Sequence, residues 1–379
     1  MKKILYLIII FSLFFNKTHY SQKISVCLFY LDSIKTIVIT PTLTPYKVFS
    51  NNEFILKLHT NNILNITENN GFLNIRNNGE NYGDFKNIEI VSSAIGAKFR
   101  IKPVFPSLES RNYLGDLQIM SVNQKLQIVN NIDIEEYVPG VVETEGGSKA
   151  ELEYYKSQAI ICRTYVMGHM RRHEEEGFNL CDGVHCQAYK SLCSLNLEIV
   201  AATNSTKNLI ITDENLMPIT AVYHSNCGGA TVNSENVWSY PKNYLKAVED
   251  TFCLNGNHAR WSDSLLLSDW IDYLVENNFN IQINNNPKNL EFVQTKRELF
   301  YIIKEDSISL KKIRHDFGFK STFFNIRLEN EKIYFDGKGY GHGVGLCQEG
   351  AMKMAEYGKN YFEIIKKYYR NIKIQKIEN

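Results

Sequence analysis

Proline is scarce, 8 of 379 residues, and neither sign of charge dominates, with 42 Lys and Arg against 41 Asp and Glu. The first shortage excludes a collagen-like or proline-rich chain. The second removes the electrostatic reason to expect nucleic acid or an anionic membrane surface as a partner. Beyond the N-terminus, no run is apolar for the ~20 residues that a membrane-spanning helix needs. The glycines from Gly337 to Gly345 lack the Lys-Ser/Thr of a phosphate loop and do not follow a βα pattern, which argues against a nucleotide site. What is present is ordinary for a globular protein: 44% hydrophobic and 12% aromatic residues, in a chain long enough for about two or three domains.

The N-terminus reads as a secretory signal over residues 1–21. Met1, Lys2 and Lys3 form a basic head, Ile4 to Phe15 is apolar but short for a bilayer span, and His19 to Ser21 supplies the cleavage region. The expected location is the periplasm or cell envelope, with membrane attachment only through a retained N-terminal segment. Cys27 follows Val26 well past the apolar run, which argues against a lipid-attachment site.

Residues 22–135 read as a β-rich region. Short β-prone runs at Lys35–Thr40, Phe54–His59, Phe72–Arg76, Ile88–Val91, Ala97–Ile101, Leu117–Met120 and Leu126–Val129 are separated by Asn and Gly. In residues 136–262, the first part of a mixed core, the period changes: Leu152, Tyr155, Ala159, Cys162, Val166 and Met170 share one face of a long helix. Ser148 with Glu151 forms its expected capping box, leaving Gly146 and Gly147 in the preceding loop. Leu209–Thr212 and Ile219–His224 are β-like again. Residues 263–312 form an expected structural subdomain, with a helix-like Leu265–Val275 and a polar Asn284–Pro287. Residues 313–379 return to the core, with helices at Gln348–Tyr357, stopped by Gly358, and at Tyr361–Tyr368. The expected class is α+β: β-rich N-terminus, mixed centre with a long helix after a catalytic loop, helical finish.

Five separated blocks carry the chemistry: Tyr137-Val-Pro-Gly-Val-Val-Glu-Thr-Glu145, Lys156–Tyr165, Tyr223-His-Ser-Asn-Cys-Gly-Gly229, Ile313–Thr322 and Gly339-Tyr-Gly-His-Gly-Val-Gly345. In this order the chain resembles the stage II sporulation protein D and amidase-enhancer family of bacterial cell-wall proteins, from about Asn112 to the C-terminus and most loosely over 263–312. The resemblance implies a lytic transglycosylase that cuts peptidoglycan glycan strands between N-acetylmuramic acid and N-acetylglucosamine. It places the catalytic acid five residues after Gly140, at Glu145. A different implication of the same resemblance is a non-catalytic wall-binding module that stimulates a cell-wall amidase.

One carboxyl group suffices for this cleavage. Hydrolytic glycosidases use a second carboxylate as nucleophile or base; here the sugar's own C6 hydroxyl attacks, and a single acid protonates the leaving oxygen and then takes up the hydroxyl proton. The acid must stay protonated near neutrality, so it needs an apolar wall or a negative neighbour. If Glu145 precedes the N-terminus of the long helix, the helix dipole opposes this. Glu143 is its competitor, or the negative neighbour. Gly146-Gly147 departs from the family's usual Met-Pro, Cys162 from a common Ala and Cys347 from a common Ser.

The expected substrate-binding residues are Arg163, His224, Ser225, Gly228, Gly341, His342, Gly343 and Gln348. Arg163 reads equally as a scaffold charge, His342 between glycines reads as functional, and Gln348 suits an acetamido group. Tyr137 and Tyr223 read as sugar-stacking or buried rings. The resemblance also implies zinc held by Cys181, His185 and Cys186, with His173 as a fourth ligand. A Cys181–Cys186 disulfide and free thiols are the alternatives, and Cys227–Cys253 is the favoured disulfide elsewhere. Cys227 as a nucleophile with His224 as base, a cysteine peptidase, lacks an orienting third residue.

Overall fold

The computed structural model describes residues 22–377 apart from 93, 148, 239 and 282–286. The expected signal segment, the Ser148 half of the expected capping box and most of the polar stretch ending at Pro287 lie outside the described residues. Among the described residues no helix is long and apolar enough to cross a membrane.

Twelve strands come first: β1 Lys23–Leu28, β2 Thr36–Pro41, β3 Tyr46–Ser50, β4 Glu53–Leu58, β5 Leu64–Asn69 and β6 Phe72–Asn77. These are followed by β7 Glu80–Phe85, β8 Asn87–Val91, β9 Lys98–Phe105, β10 Arg111–Leu114, β11 Asp116–Val122 and β12 Lys125–Asp133. Alternation drives them, as in β9, where Phe99 and Ile101 are buried between exposed Arg100 and Lys102. One sheet has the order β10-β9-β2-β5-β6-β7. The other runs β1-β12-β11-β8-β3-β4 and gains β13, Leu180–Cys181, which pairs parallel with β1 and sets Cys181 opposite Cys27.

The first helix, α1 (Ile134–Gly146), begins where β12 ends, with the Asp133 side chain accepting from the Glu135 amide. It contains the whole Tyr137–Glu145 block, so the acid rides on a helix and not on a loop. Gly147, with φ of 70°, ends it and donates its N–H to the Glu143 carbonyl. The long helix α2 (Leu152–Gly168) has Glu151 as its N-cap, with no side-chain capping bond. Every side chain from Tyr154 to Val166 except Lys156 is buried, so the single apolar face read from the sequence understates it. The reason is position: α2 packs against α1, α3 (Leu197–Ser205), β14 (Leu209–Thr212) and the C-terminal helices.

Residues from Trp261 to Phe335 build a second hydrophobic core around Trp270, Tyr301 and Phe335. It comprises α4 (Leu267–Glu276), α5 (Leu310–Phe317), the hairpin of β17 (Phe300–Ile303) and β18 (Asp306–Ser309), and a sheet of β16 (Arg260–Leu266), β20 (Lys332–Lys338) and β19 (Phe324–Glu329). The chain then returns to the first core. There β21 (Leu346–Cys347) pairs parallel with β15 (Tyr223–His224). Helices α6 (Gln348–Glu356) and α7 (Tyr361–Tyr368) follow, the latter opened by an Asn360–Glu363 capping box. This is the expected helical finish, after which β22 (Lys373–Lys376) pairs with β14. The class is α+β, with the strand-rich N-terminal half as expected.

Candidate functional site

A cleft of about 590 Å³ opens where α1, the 181–188 segment, β15 and the Gly339–Gly345 loop meet. Glu145, Tyr223, His224, Gly341 and His342 line it, as do Tyr165, His169, Arg172, His185 and Trp238. Three sequence blocks thus converge on one wall: the β15·β21 pairing and the Asn226↔Tyr340 bridge press the His342 loop onto the His224 strand. Gly341 makes this close approach feasible. A Cβ there would lie 2.8 Å from that of His224, and its φ of 111° suits glycine alone.

Glu145 is the one carboxylate lining the cleft among the described residues. Its Oε1 accepts the Ala188 amide at 2.7 Å, and the nearby Tyr223 side chain also favours the charged carboxylate. Burial raises its pKa above the ordinary value and outweighs the amide bond, Tyr223 and Lys190, all of which favour the charged form. The helix dipole acts in the direction opposite to that expected from the sequence. Glu145 lies in the last turn of α1, at the negative end, where charge on a carboxylate is disfavoured. Gly146 is buried against Tyr154, whose hydroxyl would sit 2.8 Å from an added Cβ; that ring occupies the space a larger residue would need.

Glu143 is not a competitor. Its carboxylate accepts the amides of Ser194, Leu195 and Asn196 and the Cys193 thiol, tying the start of α3 to α1. Glu143 is not among the groups shifting Glu145, which rises through burial.

The His224 and His342 imidazoles are held neutral. His342 Nδ1 accepts the Val344 amide at 3.1 Å, so its Nε2 carries the proton donated to the Tyr223 carbonyl at 3.0 Å. Burial lowers its pKa to about 4. His224 donates from Nδ1 to the Val344 carbonyl at 3.1 Å, leaving a bare, buried Nε2 without a partner among the described residues. Burial, then the nearby His342, lowers its pKa well below the ordinary histidine value. Trp238, 39% exposed, holds its ring 5.2 Å from that of His342 and offers a flat apolar face.

The other expected site residues lie elsewhere. Arg163 is fully buried in a bidentate pair with Glu135, both N···O distances being 2.7 Å, and a further donor reaches the Leu209 carbonyl; it joins α2 to α1 and β14. Gln348 touches the acid's backbone, donating to the Glu145 carbonyl at 3.1 Å. The Ser225 carbonyl accepts the Glu349 amide at the start of α6, Gly228 packs on Lys338, and Gly343 packs on the Arg297 guanidinium. None of these three lines the cleft, and the two glycines admit close protein neighbours. Tyr137 is buried, while Tyr223 is half-buried and lines the cleft with Glu145. Sequence reasoning missed Trp238, Tyr165, Arg172 and the Ala188 amide.

One wall of the cleft is a cysteine–histidine cluster. Ligand atoms of His173, Cys181, His185 and Cys186 all lie within 4.8 Å of one another. His173 Nε2 is 3.4 Å from Cys186 Sγ, and His185 Nδ1 is 3.8 Å from each sulfur. Neither sulfur is in a disulfide. The donor set suits a tetrahedral Cys₂His₂ ion, and Glu176 lies 2.5 Å from His173 Nδ1, where it orients the ring. Arg172 meets His185 Nε2 at 3.1 Å, which requires that nitrogen to be bare; with an ion on Nδ1 the ring's own proton would sit on Nε2, which could then not accept from Arg172. Cys227, the weighed nucleophile, turns its sulfur to Cys253 and Asp250 at 3.3 and 3.5 Å, and His224 bonds elsewhere.

Residues 122–212, which include α1 and α2, match the model of the Stage II sporulation protein family, SpoIID. An uncharacterised protein of Brachyspira hyodysenteriae is 30% identical over 278 residues, covering 71% of this chain and 73% of its own. The Stage II sporulation protein D of Bacillus amyloliquefaciens is 28% identical over 279 residues, 66% of this chain and 76% of its own. The chain belongs to the stage II sporulation protein D and amidase-enhancer family. A Bacillus subtilis relative named Amidase enhancer is 26% identical over 282 residues, 61% of this chain but 39% of the longer relative. Family membership sets the cleft in context: α1, which carries Glu145, lies inside the matched segment, and the His224 and His342 walls lie outside it.

Proposed function

We propose that this family member is a peptidoglycan lytic transglycosylase-like enzyme, exported to the cell envelope, with Glu145 as its acid and base. The observation that carries the reading is a single carboxyl with a raised pKa in a cleft walled by two neutral imidazoles and a tryptophan. The protonated carboxyl donates to the glycosidic oxygen as the muramic C1–O bond breaks. The C6 hydroxyl then forms the new bond to C1 and returns its proton to Glu145, so no water is consumed. The absence of a second carboxylate among the described lining residues favours this over hydrolysis, which needs one to activate water or form a glycosyl intermediate.

Trp238, 39% exposed, suits a sugar face. The His173, Cys181, His185 and Cys186 set would hold a structural zinc, whose contribution is to fix the 181–186 turn. Ala188, two residues beyond that turn, gives Glu145 its amide bond.

The test is incubation of the full chain and of Glu145→Gln with purified glycan strands, with and without stem peptides. Products ending in 1,6-anhydro-muramic acid from wild type only are expected. A second reading follows from the relative named Amidase enhancer: if wild type yields no such ends yet accelerates a purified cell-wall amidase, the chain is a non-catalytic enhancer.

A further inference from the structure

Behind the cleft lies a second convergence of ligand-type side chains that the proposed chemistry does not use. Cys227, Asp250, Cys253 and Cys347 are all buried, and one ligand atom from each lies within 4.8 Å of the other three. Cys227 follows the His224 strand, Cys347 ends β21 and caps α6, and Asp250 and Cys253 come from the loop between them in sequence. We propose that these four side chains form a second metal site, for a zinc-class divalent cation, that clamps the floor of the cleft.

The donor set argues for an ion. Three sulfurs and one carboxylate oxygen make four ligands of types that zinc takes, and closed four-ligand sites are structural. A tetrahedral ion with Zn–S bonds of about 2.3 Å spaces its ligands about 3.7 Å apart. The Cys227–Cys253 and Cys227–Asp250 separations, 3.3 and 3.5 Å, are within a few tenths of that. A disulfide between Cys227 and Cys253 would use two of the four groups and leave the third thiol and the Asp250 carboxylate buried without an equivalent role. No pair is disulfide-bonded.

The surroundings are those of ligands held in place. Tyr368 donates its hydroxyl to Asp250 Oδ2 at 2.8 Å, while the Phe252 amide holds Oδ1 at 3.1 Å, which fixes the carboxylate's orientation. The Cys227 amide donates to Cys347 Sγ at 3.3 Å, as the Cys181 amide does to Cys186 Sγ at 3.4 Å in the first cluster. Three thiolates and a carboxylate around a dication leave negative charge in excess. Half-buried Arg297, which donates to the Cys227 carbonyl at 2.7 Å, is placed to offset it. Gly350 keeps the pocket open: a Cβ there would lie 2.2 Å from Asp250 Oδ2. An ion here would join positions 227, 250, 253 and 347 and hold the two paired strands that bear His224 and the end of the His342 loop.

The test is native mass spectrometry of the full chain produced with added Zn²⁺ and purified without chelator. The Cys181→Ser/Cys186→Ser variant is expected to retain one zinc ion, with a Zn absorption-edge spectrum showing sulfur and oxygen neighbours. Cys347→Ser is expected to bind one ion fewer than wild type. If Cys181→Ser/Cys186→Ser folds and binds none, or if a non-reducing peptide map shows Cys227 joined to Cys253, the proposal fails. Should that variant not fold, Cys347→Ser against wild type decides, with circular dichroism reporting its fold: loss of one ion supports the site and an unchanged count overturns it. None of these readouts involves glycan cleavage, so they stand apart from the fate of the transglycosylase reading.

Discussion

The side-chain amide of Gln348 donates to the main-chain carbonyl of Glu145 at 3.1 Å, joining residues 203 positions apart in the chain. The carbonyl is one of those left without an intrahelical partner at the C-terminus of α1. The bond therefore satisfies a half-buried acceptor and fixes the turn that aims the acid. Gln348→Ala is expected to cost about 1 kcal/mol of stability and to lower the turnover of glycan cleavage by roughly tenfold. Denaturant titration and single-turnover kinetics measure the two effects separately.

The protonation of Glu145 sets a pH limb. Because the acid form donates the proton, cleavage falls as pH rises through the raised pKa. The Tyr223 hydroxyl favours the carboxylate, so Tyr223→Phe raises the pKa further and moves the alkaline limb to higher pH. A pH–rate profile of both proteins checks the direction.

The same shift has a stability consequence. The folded-state pKa lies above the ordinary 4.5, so the folded chain holds this proton more tightly than the unfolded one. The group's contribution is present at pH below the unfolded value and is lost as pH rises through the folded value. Glu145→Gln removes that loss, so its melting temperature relative to wild type is expected to climb across this window. Thermal melts at a series of pH values give the slope.

Arg163 and Glu135 have no role in substrate binding here. Their side chains are 0% and 10% exposed and meet in a fork-to-fork pair. Removing one partner leaves the other charge buried, so Glu135→Gln or Arg163→Met is expected to destabilise by about 3–5 kcal/mol. The double variant recovers part of the loss, and a double-mutant cycle in denaturant measures it.

Trp238 is the expected sugar platform. Trp238→Ala, at a position 39% exposed, should leave the melting temperature nearly unchanged while weakening glycan binding by roughly 1 kcal/mol, about fivefold in Kd. Calorimetry with soluble glycan fragments reads it.

Leu117–Met120 was legible in the sequence because its apolar residues alternate onto one buried face, and Leu126–Val129 as a short apolar run whose Ile128 and Val129 are both buried. Among those that were not, β7 is edge-paired and carries Gly83, β10 is four residues long, and β5 alternates but has only two apolar residues, Leu64 and Ile66, amid Asn, Thr and Glu. Helix α1 escaped because Pro139 and Gly140 sit at its centre, two residues that ordinarily interrupt helices. Gly140 is there for packing, since a Cβ would lie 2.4 Å from the Ser191 carbonyl oxygen. That omission inverted the dipole argument for Glu145. Within the site, Glu145, His224 and His342 were readable from their motifs, whereas the Ala188 amide carries no side-chain signal and Trp238 belongs to no block. Arg163 shows the converse: a motif residue whose role is to hold two helices together.

The most direct test of the central claim is glycan cleavage in water enriched in ¹⁸O, followed by mass spectrometry of the new chain ends. Transfer to the sugar's own C6 hydroxyl with Glu145 as acid predicts anhydro ends without ¹⁸O and no such products from Glu145→Gln. Incorporation of ¹⁸O at the new reducing ends, or cleavage that survives the substitution, would contradict it.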